Sequence, residues 1–116
     1  MFKKYDQGKP RFDYLTPFTK EFGEVNKVLD YGAVVKKYGK DNWRLGSNED
    51  SISRNKNAAL RHLFASLGGE PIDSESGLPH LAHALCDILF AFWHENQQVS
   101  TPKLITTEDI DHLFGV

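Results

Sequence analysis

Cysteine is almost missing from this chain: Cys86 is the only one in 116 residues. No intramolecular disulfide can form, and the apolar neighbours of Cys86 make it a buried, inert thiol suited to a reducing compartment. Long apolar runs are missing too. Nowhere do about eighteen apolar residues follow one another, and the opening MFKKYDQGKPRFDYL lacks the unbroken apolar stretch of a secretory signal. A cytoplasmic protein with no membrane partner is expected. Neither charge sign dominates: 14 basic residues face 16 acidic ones, for a net charge of −2. That balance removes the broad positive field that draws a protein to a nucleic acid polymer or to anionic lipid. Also absent are a P-loop glycine pattern, a Cys-x-x-Cys zinc arrangement and a G-x-S-x-G elbow. Two classes remain: metal-assisted chemistry on a phosphorylated ligand, or ligand binding without chemistry.

What is present reads as one all-α domain spanning residues 1–116. A chain of this length buries roughly two-thirds of the surface it exposes when unfolded. Residues 1–15 have no helical or strand period and form an arm able to pack through Phe2, Phe12 and Tyr14. The spacing of Phe18, Phe22, Val25, Val28, Leu29 and Val35 predicts a first helix from Pro17 to near Gly39, with Thr16 as its cap. Residues 40–53, rich in Gly, Asn, Asp and Ser, read as a surface loop. A second helix is predicted over Arg54 to Leu67, sending Ala58, Leu60, Leu63, Phe64 and Leu67 to the core and stopping at Gly68-Gly69. The third, Leu78 to Asn96, is apolar over much of its circumference through Leu81, Ala82, Leu85, Ile88, Leu89, Phe92 and Trp93, so it should be surrounded by protein. The tail, 98–116, offers a short helix capped by Thr106 or Thr107 with Ile110, Leu113 and Phe114 on its apolar face. The expected fold is an antiparallel bundle of three main helices plus this short C-terminal helix. Three helices make a thin core, so completion as a homodimer or homotetramer is expected.

Polar residues stand where such a fold needs explaining. In GLPHLAHALCDIL, His83 lies about 60° and Asp87 about 20° around the helix from His80, and His94 returns to the same stripe. A His and Asp at this spacing can ligate a divalent metal, or form a structural polar seam between helices. Glu21 and Glu24 share a face of the first helix. They suit Mg²⁺ or Mn²⁺ as hard ligands, or serve as a solvated first turn favoured by the helix dipole, with Asp30 a weaker third candidate. Lys36 and Lys37 are explained by the same dipole at the helix C-terminus, or contact phosphates together with Arg54, Lys56 and Arg61. Tyr38, Asn42 and Trp43 follow in a polar loop, where an indole beside an amide is equipped to stack on a base and hydrogen-bond its edge.

Taken together, KYDQGKPRFDYL, VLDYGAVVKKYGKDNWR and AALRHLFASLGGEPIDSESGLPHLAHALCDILF resemble the dATP/dGTP diphosphohydrolase N-terminal family of phages and bacteria. That family is similar to the MazG-like all-α nucleoside triphosphate pyrophosphohydrolases. The resemblance implies a helical homo-oligomer in the host cytoplasm that uses Mg²⁺ or Mn²⁺ to cleave a purine deoxynucleoside triphosphate to monophosphate and pyrophosphate. It implies metal binding and catalysis by Glu21, Glu24 and Asp87. Nucleotide contacts would come from Lys36, Lys37, Tyr38, Asn42, Trp43, Arg54, Arg61 and His80. The superfamily pattern is Glu-Glu-x-x-Glu followed by Glu-x-x-Asp. Here Lys20 stands at the leading Glu and Ala84 at the later one. The expected repair is an imidazole ligand, His83 or else His80, which favours Mn²⁺; the other is weak metal binding with charge compensation left to Lys36, Lys37 and Arg61. Two alternatives accompany this reading: a non-catalytic protein that sequesters or senses a nucleotide, and a helical interaction protein whose His-Asp stripe is only a seam.

Overall fold

The computed structural model of the chain describes residues 3–5 and 7–98. Phe2 and the expected C-terminal helix lie outside the described residues. Most of the described chain is helical. α1 is Thr19–Asp30, α2 is Asn48–Leu67 and α3 is His80–Gln97. Among the described residues extended pairing is limited to one isolated bridge, Ile72 to Pro79.

α2 and α3 form an antiparallel hairpin, since Asn48 at the start of α2 meets His94 near the end of α3 while His62 meets His80. The hairpin closes through small residues. Ala59 on α2 and Ala82, Ala84 and Ala91 on α3 are buried, and Ala58, His62, Ala65 and Ser66 are half-buried on the same side of α2. The expectation that Leu60, Leu63, Phe64 and Leu67 face the core is corrected here, because all four are exposed. Small side chains let the two backbones approach closely, and this rotates the leucine stripe outward. α3 behaves likewise: Leu81, Leu85, Ile88, Leu89 and Phe92 are exposed, so the described residues do not surround the helix. α1 lies on α3 through Val25 and Val28, which join Ala82 and Cys86 in the main core cluster.

Three boundaries differ from expectation. α2 begins at Asn48 rather than Arg54, because Ser47 accepts a hydrogen bond from the Asp50 amide and caps the helix. The second half of the expected 40–53 loop is therefore helix. The first helix starts with a 3₁₀ segment, Phe12–Phe18, where Phe12 and Tyr14 are exposed rather than packed. At its other end it widens into a π-helical turn, Tyr31–Val35. The Tyr38 amide then donates to the Gly32 carbonyl six positions back, while Lys37 takes a positive φ of 59°, a left-handed conformation in which glycine is commoner. π-turns of this type occur often at functional sites.

Candidate functional site

The π-turn, the 3₁₀ turn Asn42–Arg44, the loop after α2 and the middle of α3 surround one cleft of about 280 Å³. Its lining includes Lys36, Tyr38, Asn42 and Trp43 on one side, and His83, Asp87 and Phe90 on the other. Between them stand four groups that sequence reasoning passed over: Lys40, His62, Asp73 and Glu75.

Each wall is positioned by its own local chemistry. Glu75, in the loop after α2, pairs with Lys36 at 3.1 Å and accepts from the Tyr31 hydroxyl at 3.5 Å. The bond from Lys36 to Glu75 is the main reason that the lysine is held above its ordinary value, so it stays cationic. Trp43 is not a free stacking platform. Its ring stacks on Phe90 at 4.7 Å and 15° and meets Trp93 edge-on at 5.1 Å. The expectation of an indole in an open polar loop is corrected: packing against α3 holds it in the wall. Its carbonyl accepts from Nε2 of His94, whose Nδ1 lies 2.7 Å from the Asn48 amide oxygen.

Imidazoles cluster at the α2 end. His62 stacks on His83 with centroids 4.5 Å apart and planes 10° apart, and its Nδ1 lies 2.8 Å from Nδ1 of His80. His80 is buried, with Nε2 unpartnered and 3.8 Å from a Glu70 oxygen. Burial first, and then the neighbouring imidazoles, hold His62 below its ordinary value. Burial also lowers His83, against the pull of Asp73. Burial would raise Asp73, yet the hydroxyl and amide of Ser76 bond its carboxylate and hold it below the usual range.

Asp87 is different. It is half-buried, no cation among the described residues bonds it, and burial pushes its carboxyl up to about 6, opposed only in part by the Arg61 charge. Burial, with the Asp87 charge next, pushes the adjacent Cys86 thiol up to about 12, in keeping with an inert thiol.

The other candidates lie outside the cleft lining. Glu21 is exposed on the first turn of α1, and Glu24 pairs with Lys27 at 3.1 Å. Arg54 pairs with Asp50 on the surface, and neither Lys37 nor Arg61 lines the cleft. The four-ligand set Glu21, Glu24, His83 and Asp87 is thus brought together only in its second half. Among the described residues no three acidic, histidine or cysteine side chains are placed to hold a metal ion by themselves. A Mg²⁺ ion that arrives on phosphates needs only one or two carboxylates from a protein, and the carboxylates lining the cleft are those of Asp73, Glu75 and Asp87. His62 had a sequence signal: it continues the spacing of Ala58 and Ala59 along the small-residue face of α2.

The family model for dATP/dGTP diphosphohydrolase, N-terminal, matches residues 2–103. A protein of Salmonella phage PMBT28 named dATP/dGTP diphosphohydrolase is 36% identical over 96 residues, which cover 82% of this chain and 30% of that relative. The chain thus spans about a third of the relative's length. No solved structure matches it.

Proposed function

Because the chain belongs to the dATP/dGTP diphosphohydrolase N-terminal family, we propose that its cleft binds a purine deoxynucleoside triphosphate and supports its hydrolysis to monophosphate and pyrophosphate. The observation that carries this reading is the convergence of Lys36, Asp87 and the Asn42–Trp43 turn on one concavity. Lys36, fixed by Glu75, neutralises phosphate charge together with Lys40, which is exposed at the rim. Tyr38, Asn42 and the edge of Trp43 meet the base and sugar, with indole motion limited by Phe90 and Trp93. A Mg²⁺ or Mn²⁺ ion carried in on the phosphates would take Asp87 as its protein ligand and supply charge neutralisation at the phosphate oxygens.

Product analysis tests this directly. Purified protein incubated with each of the four dNTPs and either metal is expected to convert dATP or dGTP to equal amounts of monophosphate and pyrophosphate. Recovery of every nucleotide intact sinks the hydrolytic reading. A second reading, binding without cleavage, is favoured by the described residues bringing no three metal-ligating side chains together. Intact dATP or dGTP co-eluting with the protein would select it.

The reading includes a homo-oligomer. A cleft of about 280 Å³ lies just below the usual size of ligand sites, about 300–1,000 Å³, which leaves part of a nucleotide to be covered by other surface. On the outer face of the hairpin, Leu60, Leu63, Leu81, Leu85 and Ile88 line an apolar groove of about 580 Å³. Contiguous apolar surface of this kind marks association sites. The double substitution Leu85→Glu with Ile88→Glu is expected to turn an oligomer into a folded monomer in sedimentation velocity. A wild-type chain that already sediments as a monomer at micromolar concentration removes this part of the reading.

A further inference from the structure

The loop between α2 and α3 holds a hydrogen-bond junction whose direction is decided by counting. Ser76 Oγ lies 2.7 Å from Asp73 Oδ2, 2.7 Å from His83 Nε2 and 3.2 Å from the Leu78 amide nitrogen. A serine hydroxyl has one proton to give and two lone pairs to fill. The Leu78 amide only donates, so it fills one lone pair. An ionised carboxylate only accepts, and Asp73 is kept ionised by the two bonds from Ser76. The hydroxyl proton therefore goes to Asp73. One lone pair is left for His83, so Nε2 must arrive carrying its own proton. The neutral ring then has its acceptor at Nδ1. His62, stacked on the face of the same ring at 4.5 Å, fixes its plane while Ser76 fixes its edge. His83 lines the cleft.

We propose that Asp73 and Ser76 are positioning residues that lock His83 as its Nε2–H tautomer and so offer Nδ1 to the cleft as an acceptor for an O–H group. The hydrogen-bond lock stands on the junction alone. The identity of the O–H group rests on the nucleotide reading, in which it is the water that attacks the triphosphate.

Nitrogen-15 NMR of the ligand-free full chain reads the lock without activity. Near pH 8, His83 is expected to show a protonated, pyrrole-type Nε2 and a pyridine-type Nδ1. Ser76→Thr keeps the hydroxyl and is expected to keep that pattern, whereas Ser76→Ala, checked for folding by circular dichroism, is expected to give a mixture of tautomers. A wild-type His83 with its proton on Nδ1, or a Ser76→Ala chain with an unchanged pattern, overturns the lock. The role of Nδ1 is read by kinetics with dATP or dGTP. Ser76→Ala is expected to lose at least about tenfold in kcat with KM little changed, and Ser76→Thr to retain most of it. Shifted tautomers with an unchanged kcat overturn that role. If wild-type protein hydrolyses no nucleotide, the nucleotide reading falls and the NMR still decides the lock.

Discussion

Asp87→Asn is expected to make the protein more stable at pH 8 and to remove its turnover. The carboxyl sits near 3.8 in the unfolded chain and is pushed to about 6 in the folded one, chiefly by burial. Between those values the folded state binds the extra proton, so stability falls as pH rises through this window and the full penalty applies above it. The neutral amide of asparagine has nearly the same shape and escapes that penalty. Because Asp87 keeps part of its surface in water, the gain is discounted to on the order of 1–2 kcal/mol. For a domain of this size that corresponds to a melting temperature higher by roughly 4–8 °C. At pH 3.5, below both values, the advantage over wild type should vanish. Thermal melts of both proteins from pH 3.5 to 8 check the sign and the window. A variant that melts lower than wild type at pH 8 would mean that the carboxylate has a favourable partner in the fold. The same variant assayed with dATP and dGTP should be inactive. A side chain that weakens the fold yet faces the cleft fits a functional role better than a packing one.

The helices themselves were legible from residue spacing. The Gly68-Gly69 stop falls where the pair predicts, with Gly69 at a φ of 95°, and the His80, His83, Asp87 stripe does sit on one helix beside the cleft. The faces were not legible, because hydrophobicity alone sends leucine inward. In this hairpin close backbone approach is worth more than side-chain volume, and alanine takes the inner positions on both helices. Ser47, with Asp50 three residues later, is a capping signal, but the surrounding Gly and Asn residues mask it as a turn. The cleft was half legible. Lys36, Tyr38, Asn42, Trp43, His83 and Asp87 converge as a set, while Asp73, Ser76 and Glu75 act from a loop that carries no period for a sequence pattern to reveal. Trp43 illustrates the remaining difficulty. Its polar neighbours describe the loop, but its partners, Phe90 and Trp93, come from a helix about fifty residues away.

His94→Ala is expected to cause the largest loss of stability of any single substitution considered. His94 has 0% of its surface exposed, and its ring joins three elements at once. Nε2 donates to the Trp43 carbonyl at 2.9 Å, Nδ1 meets the amide of Asn48 at 2.7 Å, and Trp93 packs edge-on against the ring at 4.9 Å. Alanine leaves a cavity where the ring was and strips the Trp43 carbonyl and the Asn48 amide of their partners in a buried place. Cavity and unpaired polar groups together cost about 2–4 kcal/mol. A domain with a thin core has only about 5–15 kcal/mol in total, so a fall in melting temperature of roughly 10–15 °C is expected. The loss should be uneven. Asn48 opens α2 and Trp43 belongs to the cleft wall, so amide hydrogen exchange should quicken first in the opening turn of α2 and around Asn42–Arg44, while the centre of α3 stays protected. His94→Gln, which retains a donor and an acceptor, should lie between alanine and wild type. If alanine melts within about 2 °C of wild type, or if exchange rises evenly along the chain, His94 does not hold the Trp43 turn to the hairpin, and the shape of the cleft must be set by Phe90 and the π-turn instead.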